Sequence, residues 1–248
     1  VSATPACASR GLGYLPDPVD ARDWSVGKLG LGAAVPVAAS LRSHVDAVLD
    51  QGDTQSCVAQ AWAQALRIGD HLDGKSAPTL ASVLFLYFNS RAWLDDEESD
   101  AGTYLRTCAQ GLVRFGRAPD RLWPFDVARV NTRPSWKAYR AAFDLRGPRG
   151  YYRIANGDLS SVRSAIAAGK PVVFGMAVDA AFVDNHGPLV IGEPSGPAIG
   201  GHAMCVVGYN GDNFELVNSW GTGWRNGGFA WLTSGRLATA TDLWAVDP

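Results

Sequence analysis

Cysteine and histidine are both scarce in this 248-residue sequence, at four residues each. No Cys-x-x-Cys pair occurs, and the histidines are scattered at His44, His71, His186 and His202. A metal site would have to combine Cys57, His202 and Cys205, a grouping without the usual ligand spacing, so no metal is expected. A disulfide framework is not expected either: Cys108 and Cys205 fall in apolar patterns that read as core, and Cys7 has no evident partner. No apolar run approaches the length of a membrane-crossing helix, so no membrane partner is expected. Lysine and arginine total 22 against 24 acidic residues, net −2. With no basic stripe interleaved with aromatics, nucleic acid is excluded as an expected partner. Val1 opens no signal-peptide pattern, so any leader is expected to have been removed or never to have existed.

What is present is an ordinary globular composition, 47% apolar with nine tryptophans, enough for one fold unit or two tightly joined subdomains. Apolar periodicity predicts helices over about 57–71, 79–93, 103–115 and 134–143. From about Gly150 the pattern turns to strands, over 171–178, 202–209, 214–218, 228–232 and 243–246. One helix, about 160–168, interrupts them and stops at Gly169. A helical half followed by a β-rich half predicts an α+β protein with a cleft between two lobes. The glycine-rich stretch from Gly221 to Gly228 lacks the strand-then-helix context of a dinucleotide site, and Gly169-Lys170-Pro171 lacks the rest of a phosphate loop, so both read as turns. No cofactor is expected.

The segment QGDTQSC, Gln51 to Cys57, runs directly into a helical stretch. Ser56 is a favourable N-cap, which makes Cys57 the first helical residue, where the helix dipole favours thiolate. Gln51 offers a side-chain amide that can converge with the Cys57 backbone N–H on one oxyanion. Taken alone, this cysteine also fits plain core packing, as most buried cysteines do. Near the C-terminus lies GGHAMCVVGYN, Gly200 to Asn210, followed by FELVNSWGTGW, Phe214 to Trp224. An Asn210-Gly211 turn predicts a hairpin in which His202 and Asn218 meet side by side, the asparagine fixing the imidazole as the third member of a triad does. Trp220 is placed to shield that hydrogen bond from water. His186 is the rival base, without a downstream asparagine at strand spacing; His44 and His71 read as surface or core histidines.

Across about residues 38–248 the chain resembles a papain-like cysteine peptidase, closer to the compact bacterial branch than to plant or lysosomal enzymes. NSWGTGW, SVLFLYFNSR (Ser82 to Arg91), DAGTYLR (Asp100 to Arg106) and LWPF (Leu122 to Phe125) carry the likeness. The resemblance implies a papain-like two-lobed fold, with a helical lobe over about 50–147 and a β-barrel-like lobe over about 148–248. It implies Cys57 as nucleophile, His202 as acid/base, Asn218 as its orienting residue and Gln51 as oxyanion donor. Gly102 and Thr103 would bind substrate backbone, with Gly201 and Trp220 also at the substrate cleft. Gly175 and Ala203 would line the main specificity pocket, expected to take a bulky apolar side chain. The sequence departs from the family's C-G-S-C-W: Thr54 removes one partner of a common disulfide and Val58 removes an aromatic, whose space Trp62 is a candidate to fill.

The implied activity is endopeptidase cleavage of a peptide or protein substrate by a monomer. Acyl transfer or deamidation with the same triad, as in a bacterial effector, stays open, as does a catalytically silent peptide-binding module. The compartment is open too, between a secreted or delivered bacterial protein and a cytoplasmic one. Residues 1–37 precede the resemblance. They read either as a surface-wrapped or disordered arm or as a short pro-segment that partly occludes the cleft.

Overall fold

A computed structural model describes residues 10–31, 35–75, 79–145 and 147–247; Cys7 lies outside them. The first half is helical, with α1 (Cys57–Leu72), α2 (Val83–Ala92), α3 (Leu105–Phe115) and α4 (Trp136–Asp144). Two short strands, β1 (Tyr14–Leu15) and β3 (Thr103–Tyr104), pair in parallel beside them, and β2 (Ala38–Ser40) lies between in sequence. The second half carries β4 (Gly150–Ile154), α5 (Leu159–Ala167), β5 (Val172–Val178), α6 (Ala180–Val183), β6 (Val190–Ile191) and β7 (Gly200–Asn210). It continues through β8 (Asn213–Val217), β9 (Phe229–Thr233), α7 (Ser234–Ala238) and β10 (Asp242–Asp247). The sheet order is β4-β10-β5-β7-β8-β9-β6, with β2 joined to β7, and its pairings are antiparallel except β6 with β9. This is the α+β, two-lobed papain-like arrangement.

Helix α1 is the hub. Its sequence is alanine-rich around Trp62, Leu66 and Ile68, all essentially unexposed, so its backbone approaches neighbours on both sides. It packs against β7 and β5 of the sheet and against α2 and α3 of the helical lobe. Strands β5 and β7 read as almost continuous apolar runs because both faces are covered, by α1 and by α5.

The starts of α2 and α3 differ from the periodicity, each for a local reason, and α4 starts at Trp136, where the Ser135 side chain caps it. Helix α2 begins at Val83, because the Ser82 hydroxyl accepts from the Phe85 N–H and Ala81 is held in a bridge to Pro119. Helix α3 begins at Leu105, because Thr103 and Tyr104 are spent on pairing with β1. Gly169, at φ +74°, follows α5 as expected. Among the described residues, no helix is long and apolar enough to cross a membrane.

Candidate active site

Cys57 is the first residue of α1, but Ser56 does not cap the helix with its side chain as expected. Its hydroxyl instead meets Thr54 Oγ1 at 2.7 Å and receives a weak donation from Gln60 Nε2 at 3.4 Å. Thr54 Oγ1 also donates to the Gln51 carbonyl at 2.8 Å, which closes the QGDTQSC segment on itself. The outer tie is Asp100: its carboxylate accepts the Gln55 N–H at 3.1 and 3.2 Å and the Tyr87 hydroxyl at 2.6 Å. Tyr87 in turn accepts the Gly102 N–H at 3.0 Å. A hydrogen-bonded carboxylate thus clips the Gln51–Cys57 segment to the Gly102 loop. Trp62 donates to the Leu105 carbonyl at 3.1 Å and meets the edge of Tyr151, so it serves the seam between the lobes.

His202 lies on β7, and Asn218 immediately follows β8, its hairpin partner. Their separation from His202 Nε2 to Asn218 Oδ1 is 2.7 Å. The same Oδ1 accepts the Ser219 backbone N–H at 2.8 Å, and a backbone N–H can only donate, so the amide orientation is fixed. Nε2 must therefore carry a proton, which leaves Nδ1, buried and without a hydrogen-bond partner, as the basic nitrogen. Trp220 stacks on the imidazole at 4.4 Å between ring centroids, and Phe182 and Trp224 complete the aromatic cover. Trp220 is itself buried, so its contact is with His202 rather than with an open cleft.

Gln51 is oriented by a residue that sequence reading passed over inside a recognised motif. The Ser219 hydroxyl donates to Gln51 Oε1 at 2.6 Å, which turns Nε2 toward the Thr54 carbonyl at 2.7 Å and the Gly11 carbonyl at 3.1 Å. Gly11 belongs to the N-terminal arm. The arm lies across the site: Leu12 N–H donates to Gln55 Oε1 at 2.7 Å, and Thr103 N–H donates to the Gly13 carbonyl at 2.9 Å. Gly13 also bridges Gly201. Two positions must be glycine for so close an approach. A Cβ on Gly11 would lie 1.8 Å from the Thr54 oxygen, and one on Gly13 would lie 2.0 Å from the Gln55 oxygen.

Under the arm, Cys57 and His202 are both completely buried. Burial pushes the Cys57 thiol up to about 11, against the opposing pull of the Ala203 and Gly13 N–H groups. Burial likewise pulls His202 down to about 4, partly offset by its bond to Asn218. With the arm in place both shifts favour the neutral forms, thiol and imidazole.

Gly175 and Ala203 face each other in the β5–β7 register. The space over Gly175 is filled by the Tyr14 ring, 2.2 Å from where a Cβ would stand. Beyond Gly175 the Tyr14 ring ends among polar groups: its hydroxyl meets Thr241 Oγ1 at 2.7 Å and donates to the Asp242 carboxylate. Thr241 and Asp242 carried no recognisable sequence signal, because nothing local ties them to the cleft. His186 sits exposed in its loop, and His71 lies 3.1 Å from Asp46.

A family model described as papain family cysteine protease matches residues 124–241. An uncharacterized peptidase C1-like protein of Acanthamoeba polyphaga mimivirus is 28% identical over 214 residues, covering 80% of this chain and 68% of its own. A cathepsin L-like proteinase of Fasciola hepatica is 23% identical over 197 residues, and the match spans 78% of this chain but 58% of that protein. Among solved structures, xylellain, a cysteine protease from Xylella fastidiosa, superposes with a TM-score of 0.88 at 28% identity, covering 99% of both chains. The digestive procathepsin L 3 of Tenebrio molitor larval midgut shares the fold, with a TM-score of 0.74 at 18% identity over 98% of this chain and 77% of that one. The family model over residues 124–241, the relatives at 28% and 23% identity and the superposition on xylellain make this chain similar to papain family cysteine proteases in sequence and fold.

Proposed function

We propose that the chain hydrolyses peptide bonds through Cys57, His202, Asn218 and Gln51, and that its own arm holds it inactive. The observation that carries this reading is the arm itself, an extended peptide seated against Gln51, Gln55 and Thr103 by its main chain. Main-chain hydrogen bonding of this kind is indifferent to side chains, as a general peptide cleft requires.

Once the arm withdraws, water reaches the pair and the desolvation that keeps both groups neutral is relieved. His202 Nδ1 then takes the Cys57 proton, and the helix start favours the thiolate. The thiolate attacks the scissile carbonyl, and the oxyanion is held by Gln51 Nε2 and the Cys57 N–H. His202 passes its proton to the leaving amine, then activates water to release the acyl group from sulfur. Asn218 keeps Nε2 protonated through both steps, and Trp220 keeps solvent off that bond. Gly102, Thr103 and Gly201 hold the substrate chain, and Gly175 and Ala203 border its main side-chain pocket. Within the extension over 1–37, residues 10–31 are the inhibitory part, and 38–248 form the peptidase domain.

The test compares the full chain with a variant whose arm cannot seat, on a mixed peptide library and with iodoacetamide at slightly acidic pH. Cleavage and selective Cys57 labelling are expected only when the arm is displaced. A displaced-arm protein that neither cleaves any peptide nor labels faster than a free thiol would falsify the reading.

A further inference from the structure

Tyr14 does more than fill space. Its ring covers Gly175, and its hydroxyl ends between Thr241 Oγ1 and the Asp242 carboxylate. Asp242 is buried, at 1% exposure, so its partners decide what the pocket tolerates. Its Oδ2 takes the Tyr14 hydroxyl and the Asp17 N–H, the latter at 2.8 Å. Both donors belong to the arm. When the arm leaves, that oxygen loses both donors at once while Gly175 leaves room for a ring above it. Water can take their place, but a side chain that enters the pocket shuts that water out again, so it is selected by whether it supplies a donor itself.

The charge count decides which donor fits. Arg153 Nη2 approaches Asp242 Oδ1 at 2.5 Å, and Arg153 Nη1 lies 3.5 Å from Asp17. Withdrawal of the arm removes Asp17 and leaves Asp242 and Arg153 as a balanced pair. A lysine or arginine entering the pocket would bring a second positive charge against Arg153. A phenol brings a donor and no charge, at the length that Tyr14 already shows to fit.

We propose that Asp242 and Thr241, with Arg153 behind them, make this pocket select a tyrosine side chain on the peptide substrate. The proposal rests on the peptidase reading above and names the substrate class of the same cleft.

The experiment uses the full chain carrying Gly13→Ala, so that the arm is displaced without altering the pocket. Matched peptides bearing tyrosine, phenylalanine, O-methyltyrosine, leucine or arginine at each position are measured in two ways: turnover, and protection of Cys57 from iodoacetamide. At one position tyrosine is expected to exceed phenylalanine, O-methyltyrosine and arginine by about 10-fold or more in both readouts. Asp242→Ala should erase the preference for tyrosine over phenylalanine while leaving leucine peptides bound. Should that variant not fold, Thr241→Val and the O-methyltyrosine peptide give the same comparison. Equal treatment of tyrosine and phenylalanine in both readouts, or a preference for arginine, overturns the assignment. Protection ranked by tyrosine without turnover of any peptide would uphold the pocket and sink the hydrolysis reading instead.

Discussion

The Gly11 carbonyl oxygen accepts a hydrogen bond from Gln51 Nε2 at 3.1 Å. The side chain proposed to stabilise an oxyanion is therefore already engaged by a backbone carbonyl of the same polypeptide. Its geometry is set from behind by Ser219, so the amide is aimed before any substrate arrives.

Adding one carbon to the arm should open the site. Gly13→Ala places a Cβ 2.0 Å from the Gln55 oxygen, a backbone atom that cannot swing aside. Cys57 in this variant is expected to label with iodoacetamide at least about 10-fold faster than in the native chain, the scale of losing one or two buried hydrogen bonds. Gly27→Ala is the control, because its Cβ would meet nothing nearer than Ser25 Oγ at 3.8 Å. Equal labelling of all three proteins would show that the arm does not guard the sulfur.

Removing the oxyanion donor should act on turnover rather than on binding. In the Gly13→Ala chain, Gln51→Ala is expected to lower kcat by about 10²- to 10³-fold with little change in KM. Ser219→Ala, which only frees the Gln51 amide to rotate, should lower kcat by less. Steady-state kinetics on one peptide substrate distinguishes these from a general loss of folding.

Acid should weaken the arm-docked form through His202. Its pKa is depressed to about 4 from an ordinary 6.5, so the buried neutral ring contributes stability above 6.5 that is lost as pH falls toward 4. Asp17 works in the opposite sense. Burial, followed by the Asp242 charge, raises it to about 6, so its contribution is full below an ordinary 3.8 and is lost as pH rises through 6. Subtracting a His202→Asn variant removes the Asp17 contribution. Denaturant melts at intervals between pH 7 and 4 should show the native chain losing stability relative to the variant, approaching one proton's slope between 6.5 and 4. A flat difference would mean that His202 is not held neutral.

The Asp100 clip should matter for both stability and chemistry. Asp100→Ala leaves the Gln55 N–H and the Tyr87 hydroxyl without their acceptor and is expected to cost about 1–3 kcal/mol. Because the Gln55 N–H lies two residues before Cys57, kcat should fall along with the melting temperature. Tyr87→Phe, which keeps the carboxylate on Gln55, should lower stability with a smaller effect on kcat.

Much of this molecule was legible in the residues. Helix α1 announces itself by composition and by starting at Cys57. The apolar runs of β5, β7 and β10 are long enough to read as covered strands. The hairpin expected at Asn210-Gly211 forms one residue later, with Asn210 paired to Asn213 and the turn at Gly211-Asp212, and it brings His202 and Asn218 together locally. These are short-range facts, set by periodicity and turn chemistry, and the NSWGTGW stretch supplied the rest of the likeness.

Other features depend on contacts between distant segments, which leave no pattern in either one. Nothing near Asp100 marks it as a partner of Gln55, and nothing near Asp242 marks it as the end of a pocket that Tyr14 fills. The arm looked like an extended chain with turns, because Gly11 and Gly13 are ordinary until Thr54 and Gln55 come within van der Waals range. The protonation of the site was decided the same way. A helix start favours thiolate in the sequence, but complete burial of Cys57 and His202 under the arm pushes the thiol up and the imidazole down, toward their neutral forms. The sequence by itself determined which groups are candidates for the chemistry, because motif and spacing are local. Only the tertiary structure decided that the arm covers them and removes water from Cys57 and His202, because that depends on contacts between distant segments.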